Sequence, residues 1–180
     1  MELVKSSKIK LIFLAIILLI LFTMFNRNNT GIFDYNPKTD REFILNIFAK
    51  NWYWLVSENS VDFSAEYMLD NKASSRDRTQ DLNIKVYYER DQPIGFVAYF
   101  MLASHYGRIL FIAIEDKYRG KGYSKKLINY AIEDLRKKKA SIITLTTRTN
   151  NKAARALYTS IGFKETRDDG KFIDYKISNN

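Results

Sequence analysis

Cysteine is absent from this chain, histidine occurs once and proline only twice. No disulfide, thiolate zinc site or cysteine nucleophile is therefore available. A single His105 leaves neither a Ser-His-Asp triad nor a histidine-rich metal centre with enough ligands. Internal repeats and low-complexity tracts are missing too. With seven glycines and aromatics at 14 %, most of the chain is expected to fold. Its 180 residues suit one ordinary domain with a core, plus an appendage.

Acidic residues are scarce in two places. Residues 1–30 hold Lys5, Lys8, Lys10 and Arg27 against Glu2, a local charge of +3. Residues 117–139 hold nine basic residues against Glu133 and Asp134, or +7, so the remainder of the +9 chain is −1. A general nucleic-acid binder spreads positive charge over a face of its fold. Two confined patches favour a localised, phosphate-rich small ligand. The run Arg136 to Lys139 suits the carbonyl end of a helix better than an RNA or lipid surface.

One long apolar run exists. Residues 11–25 carry no charge, somewhat fewer than the ~20 of a comfortable span. Lys8 and Lys10 are placed to snorkel. No small-x-small cleavage site follows it, and a buried helix apolar all round suits a small domain poorly. The run reads as an uncleaved transmembrane anchor. The organisation is then a basic tail over 1–10, an anchor over 11–25, a linker over 26–31 and a domain over 32–178. Lys5, Lys8 and Lys10 against Arg27, Lys38 and Arg41 give only a slight bias toward a cytoplasmic N-terminus.

Within the domain, residues 32–36 read as a strand. Thr39-Asp-Arg-Glu42 is a capping-box sequence opening a helix to residue 55, whose Trp52, Tyr53 and Trp54 are expected in the core, with pocket lining or a membrane belt as alternatives. A short helix follows over 63–71. Residues 84–89 and 94–103 read as a hairpin about Arg90–Pro93, and Ser104–Gly107 turns into an apolar strand over 109–114. Residues 141–147 are β-branched and strand-like. A helix over 150–161 stops at Gly162, and 163–167 and 172–177 flank the turn Asp169-Gly170. The order β-α-α-β-β-β-α-β-α-β-β is an α/β fold with a largely antiparallel sheet.

The stretch that organises the rest is Arg119-Gly120-Lys121-Gly122. It lies between the apolar strand and a helix whose stripe is Leu127, Ile128, Ala131, Ile132 and Leu135. The first N–H groups of a helix have no partner inside it, and the peptide dipoles add positive charge there. Glycines leave those amides uncovered, a phosphate-binding arrangement. The local pattern equally suits a helix start with a solvated basic face.

Arg119-x-x-Gly122-x-Ser124, together with Arg148-x-x-Asn151-x-x-Ala154-x-x-Leu157-Tyr158-x-x-x-Gly162-Phe163, resembles the GNAT superfamily of N-acetyltransferases over residues 32–178. The second motif is similar to the branch that acetylates ribosomal-protein and peptide N-termini. The resemblance implies the GNAT acyl-CoA N-acyltransferase fold and acetyl-CoA as cofactor. It assigns Arg119, Gly120, Lys121, Gly122, Tyr123 and Ser124 to the pyrophosphate, Ile112 and Ile114 to pantetheine through their main chains, and Asn151 to a contact from the neighbouring helix. Ser124 departs from the family's usual Gly or Ala. Tyr158 stands where the family keeps a tyrosine that protonates the departing sulfur; a core role is the alternative. The implied reaction is direct attack of a primary amine on the thioester in a ternary complex. A membrane-tethered, inactive CoA- or partner-binding module is the alternative. No glutamate lies on the central strand, which leaves Glu115, His105, Glu66, Asp62 or water as general base. Because acetyl-CoA is cytosolic, the domain is expected to face the cytoplasm.

Overall fold

A computed structural model describes residues 29–57, 63–71, 73 and 82–178, with Ile16 apart from them. The tail over 1–10, the anchor assigned to residues 11–25 apart from Ile16, residues 26–28 of the linker and Asp62 lie outside the described residues. Among the described residues, no helix is long and apolar enough to cross a membrane.

The elements are β1 Gly31–Asp34, α1 Pro37–Leu55, α2 Ala65–Asn71, β2 Asn83–Glu89, β3 Gln92–Ala103, β4 Tyr106–Ile114, α3 Tyr123–Lys137, β5 Ile142–Arg148, α4 Lys152–Ile161, β6 Lys164–Asp168 and β7 Phe172–Ser178. This is the expected order. The seven strands form one sheet, β1-β2-β3-β4-β5-β7-β6. Every neighbouring pair is antiparallel except β4 and β5, which are parallel. They are joined by the α3 crossover, as parallel neighbours must be.

Two cores sandwich the sheet. On one face Leu127, Ile128, Ala131 and Leu135 of α3 and Tyr158 of α4 pack on Val97, Tyr99, Ile109, Ile143, Leu145, Ile173 and Tyr175. On the other, Ile44, Ile47 and Phe48 of α1 and Met68 and Leu69 of α2 pack on Val86, Phe96, Phe100 and Phe111. The α1–α2 layer is built over β2, β3 and β4, so the β5-β7-β6 half of that face carries polar side chains such as Thr144, Thr146, Asp174 and Lys176.

Two expectations are corrected. The α1 cap is Asn36 rather than Thr39: its side chain accepts from Lys38 N at 3.0 Å, and Pro37 takes the first helical position, where a missing N–H costs nothing. Buried Asp40 returns the bond by accepting from Asn36 N at 2.8 Å and also takes the Tyr88 hydroxyl. The second correction concerns Trp52, Tyr53 and Trp54, which are 47 %, 47 % and 45 % exposed rather than core. The helix loses its geometry at Asn51 (φ −122°, ψ 22°); beyond it Leu55 and Val56 stay on the aromatic core and Trp52 reaches Phe63 at 5.9 Å, while the three rings remain about half exposed.

Candidate active site

The parallel pair β4–β5 is joined over three residues only, Tyr106↔Ile142, Gly107↔Ile143 and Arg108↔Thr144. Beyond them β4 runs to Ile114 and β5 to Arg148 without pairing. A bulge marks the parting. Tyr99 opposes Ile109 and Ala98 opposes Phe111, which leaves Leu110 as the extra residue. Leu110 and Phe111 both pack toward the α1 side, so two successive side chains share a face and the strand bends.

The gap leaves main-chain groups of β4 unpaired. Glu115 N donates to Ile94 O at 2.8 Å on the β3 side. Strand alternation therefore turns the amides of Ile114 and Ile112 the other way, into the gap. The Ile114 carbonyl is already taken by Arg119 Nε at 3.1 Å, so that residue offers its N–H alone.

A cavity of about 570 Å³ fills the gap, within the ordinary range for a small-molecule site. On one face of the sheet its rim is Gly120, Gly122, Ser124 and Lys125 from the start of α3, with Asn151, Ala153, Ala154 and Leu157 from α4. On the other face the rim is Asn51, Trp54 and Leu55 of α1. Ile109 to Ile114 and Leu145 to Thr147 form the walls, and Tyr158 stands inside. The cavity thus passes through the sheet and opens on both faces.

At the α3 rim the amides are bare. Gly122 caps the helix with φ +82°, no side chain caps this end, and the first bond inside the helix is Lys126 N to Gly122 O at 3.2 Å. The N–H groups of Tyr123, Ser124 and Lys125 are left to a ligand. Gly120 also has positive φ, +74°, and a Cβ built at either glycine meets nothing within 4 Å. The cradle is open and shaped for an anion, and its residues fit the diphosphate of a nucleotide cofactor. Tyr123 turns its ring away to pack at a tilt against Tyr87 (5.0 Å) and donates its hydroxyl to Glu89 at 3.1 Å. Lys121 and Lys125 are exposed beside the turn.

Two residues assigned to the cofactor also hold the fold. Arg119 donates to Asn51 Oδ1 at 2.7 Å and pairs with Asp116 at 2.7 Å. Asn151 caps α4 by accepting from Ala154 N at 3.1 Å, which leaves its amide NH₂ for the cavity. Tyr158 is 6 % exposed and packs edge-on against Phe163 and Tyr175. Burial, and next the neighbouring Tyr175, push its phenol well above the usual tyrosine range, so it stays a neutral proton donor at all ordinary pH.

Among the described residues, none of the base candidates lines the cavity. Glu115 lies past β4 and pairs with Lys117 at 3.5 Å. His105 is exposed in the 104–105 turn at the far end of β4. Glu66 accepts from Ser64 at the start of α2. The residue pattern did not single out Asn51 and Thr146, and gave Arg148 no role of its own, while Trp54 takes the pocket-lining alternative. Arg148 is 6 % exposed; it donates to the carbonyls of Tyr53 and, at 3.2 Å, Val56, with the Tyr53 ring 3.9 Å from its guanidinium carbon. It closes the carbonyl end of α1, which has no basic residue of its own.

Comparison with known proteins gives a consistent family. The pattern of the Acetyltransferase (GNAT) family matches residues 42–163. A [Ribosomal protein bS18]-alanine N-acetyltransferase of Haemophilus ducreyi is 32 % identical over 105 residues, 58 % of this chain and 68 % of that protein. The N-alpha-acetyltransferase 30 of Saccharomyces cerevisiae is 40 % identical over 57 residues, 32 % of each chain, so this match spans about a third of that relative. Among solved structures, the PaiA N-acetyltransferase of Thermoplasma acidophilum in complex with coenzyme A superposes with a TM-score of 0.69 at 19 % identity, covering 84 % of this chain and 99 % of that one.

Proposed function

The chain belongs to the acetyltransferase (GNAT) family, and from that premise we propose that it moves the acetyl group of acetyl-CoA to a primary amine, by preference the α-amine of a peptide or protein. It is an acyltransferase with acetyl-CoA as its cofactor. The observation that carries the reading is the open glycine cradle at the start of α3, set beside a gap in the sheet that opens on both faces. The α-amine preference rests on the bS18-alanine N-acetyltransferase and N-alpha-acetyltransferase 30 likenesses.

Bound acetyl-CoA supplies a thioester carbon for the amine to attack. The chain's residues do the rest. Tyr123, Ser124 and Lys125 hold the diphosphate through their amides, with Lys121 and Arg119 adding charge, and Ser124 adds a hydroxyl. Ile112 and Ile114 present main-chain groups along the gap to the pantetheine amides, and Asn151 reaches it from α4. Tyr158 delivers a proton to the departing sulfur. Because a thiol leaves far more readily than an alcohol, Tyr158→Phe is expected to lower kcat about tenfold with acetyl-CoA affinity unchanged; a kcat equal to wild type would reduce Tyr158 to a packing role.

Residues 11–25 anchor the domain to a membrane, with the domain on the cytoplasmic side where its cofactor is made. The support is the uncharged run and its lysine flank. The test uses the full chain. It is expected in a carbonate-washed membrane fraction, and after detergent extraction to release CoA with peptides beginning in alanine and less with polyamines. No CoA release with any amine would sink the activity, and recovery in the carbonate wash would sink the tether.

A further inference from the structure

Attack by an amine requires that its proton be taken up, and Glu115, His105 and Glu66 all lie away from the gap. The gap holds instead a hydroxyl tied to a carboxylate. Thr146 lines the cavity. Its Oγ1 donates to Asp174 Oδ1 at 2.5 Å and accepts from Arg108 Nη2 at 3.0 Å. Thr146 and Asp174 are direct partners across β5 and β7, so the side chains meet on one face. That face is the half of the sheet α1 leaves open. Two residues beyond the last β4–β5 pair, Thr146 stands across the gap from the Leu110 bulge, at the level where β4 amides are unpaired. With its proton given to Asp174 and one lone pair to Arg108, Thr146 Oγ1 turns only a lone pair toward the cavity. It receives an N–H and offers nothing to a carbonyl.

We propose that Thr146 and Asp174 are the outlet for the acceptor's proton, an inference that rests on the amine-acetylating reading above. The acceptor arrives as an ammonium. One of its protons passes to Thr146 Oγ1 as the threonine's own proton passes to Asp174, leaving a neutral amine whose lone pair then forms the N–C bond. Asp174 hands its proton to water on the open face and is again a carboxylate. The electrons of the broken C–S bond leave with the sulfur, which takes the Tyr158 proton, and the second proton, shed by the nitrogen as the amide forms, restores the Tyr158 phenol. The charged residues placed around Asp174 are Arg108 of β4, which donates to Thr146, Arg167 at the paired position of β6, and Lys176 two residues along β7. Thr146 touches the substrate, and Asp174 positions and discharges it.

The experiment follows kcat/KM from pH 6.5 to 9 for an alanine-initiated peptide and measures acetyl-CoA affinity by calorimetry. For Asp174→Asn the expected loss is about 10- to 100-fold at pH 6.5, where an α-amine of pKa ~8 is mostly protonated, shrinking to within about threefold at pH 9. Acetyl-CoA affinity stays within about twofold. Thr146→Val follows Asp174→Asn, and Thr146→Ser restores most of the rate. A loss uniform across pH, a loss accompanied by weaker acetyl-CoA binding, or no loss overturns the proposal. A wild-type chain that turns over normally beside such variants leaves the acetyltransferase reading intact. A wild type inert toward the peptide sinks that reading first.

Discussion

Gly122→Glu abolishes acetyl-CoA binding while leaving the domain folded. Three effects add at one position. A residue with a Cβ at φ +82° costs about 1–2 kcal/mol in the left-handed region. Its side chain then covers the amides of Tyr123, Ser124 and Lys125. Its carboxylate, about 5 Å from a diphosphate, is opposed by about 3 kcal/mol per unit charge at an effective dielectric near 20. The first effect falls on stability, and the last two weaken binding by at least about a thousandfold. The fold survives because nothing in the protein lies within 4 Å of the new Cβ. Gly122→Ala carries only the conformational cost, which the free chain bears as well, and should lower stability by about 1–2 kcal/mol with binding within about threefold of wild type. Calorimetric titration with acetyl-CoA reads both, and a Gly122→Glu protein that binds like wild type would remove the cradle from the site.

Arg148→Ala is expected to be the most destabilising single change outside the apolar core. The guanidinium is buried, bonds the carbonyls of Tyr53 and Val56, and lies between the rings of Tyr53 and Phe172. Truncation leaves carbonyls without partners and a hole between two aromatic rings, about 3 kcal/mol together. For a chain of this length that lowers Tm by about 10 °C. Arg148→Lys should recover less than half of the loss, since an ammonium has no planar fork to serve two carbonyls and stacks poorly. Thermal melts followed by circular dichroism measure both; a shift below about 3 °C for the alanine variant would mean that the end of α1 is held by something else.

Much of this was readable in the residues. Element order followed from periodicity and punctuation: the α3 stripe from Leu127 to Leu135, the αL stop at Gly162 and the turn at Asp169-Gly170 all state local rules that tertiary structure then obeys. The open cradle followed from two glycines at a strand-to-helix junction. What could not be read was relational. Thr146 looks like any strand threonine until β7 places Asp174 beside it. Asn51 looks like a helix residue until the chain kinks there. The exposure of Trp52, Tyr53 and Trp54 depends on where that kink points, which no periodicity encodes. The α1 cap was misplaced by three residues because Thr39-x-x-Glu42 satisfies the same rule as Asn36, and the Asn-Pro pair was the stronger signal.

Arg119 carries a consequence for how the two halves of the site behave. One guanidinium joins the kink of α1, the last carbonyl of β4 and the acid of the intervening turn. The turn that leads into the cradle, the end of β4 and the kink of α1 are thereby tied through one side chain. These bonds are already made in the chain without substrate. Little ordering entropy remains to be lost on loading, and the two reactants meet at a spacing set by the protein rather than by chance.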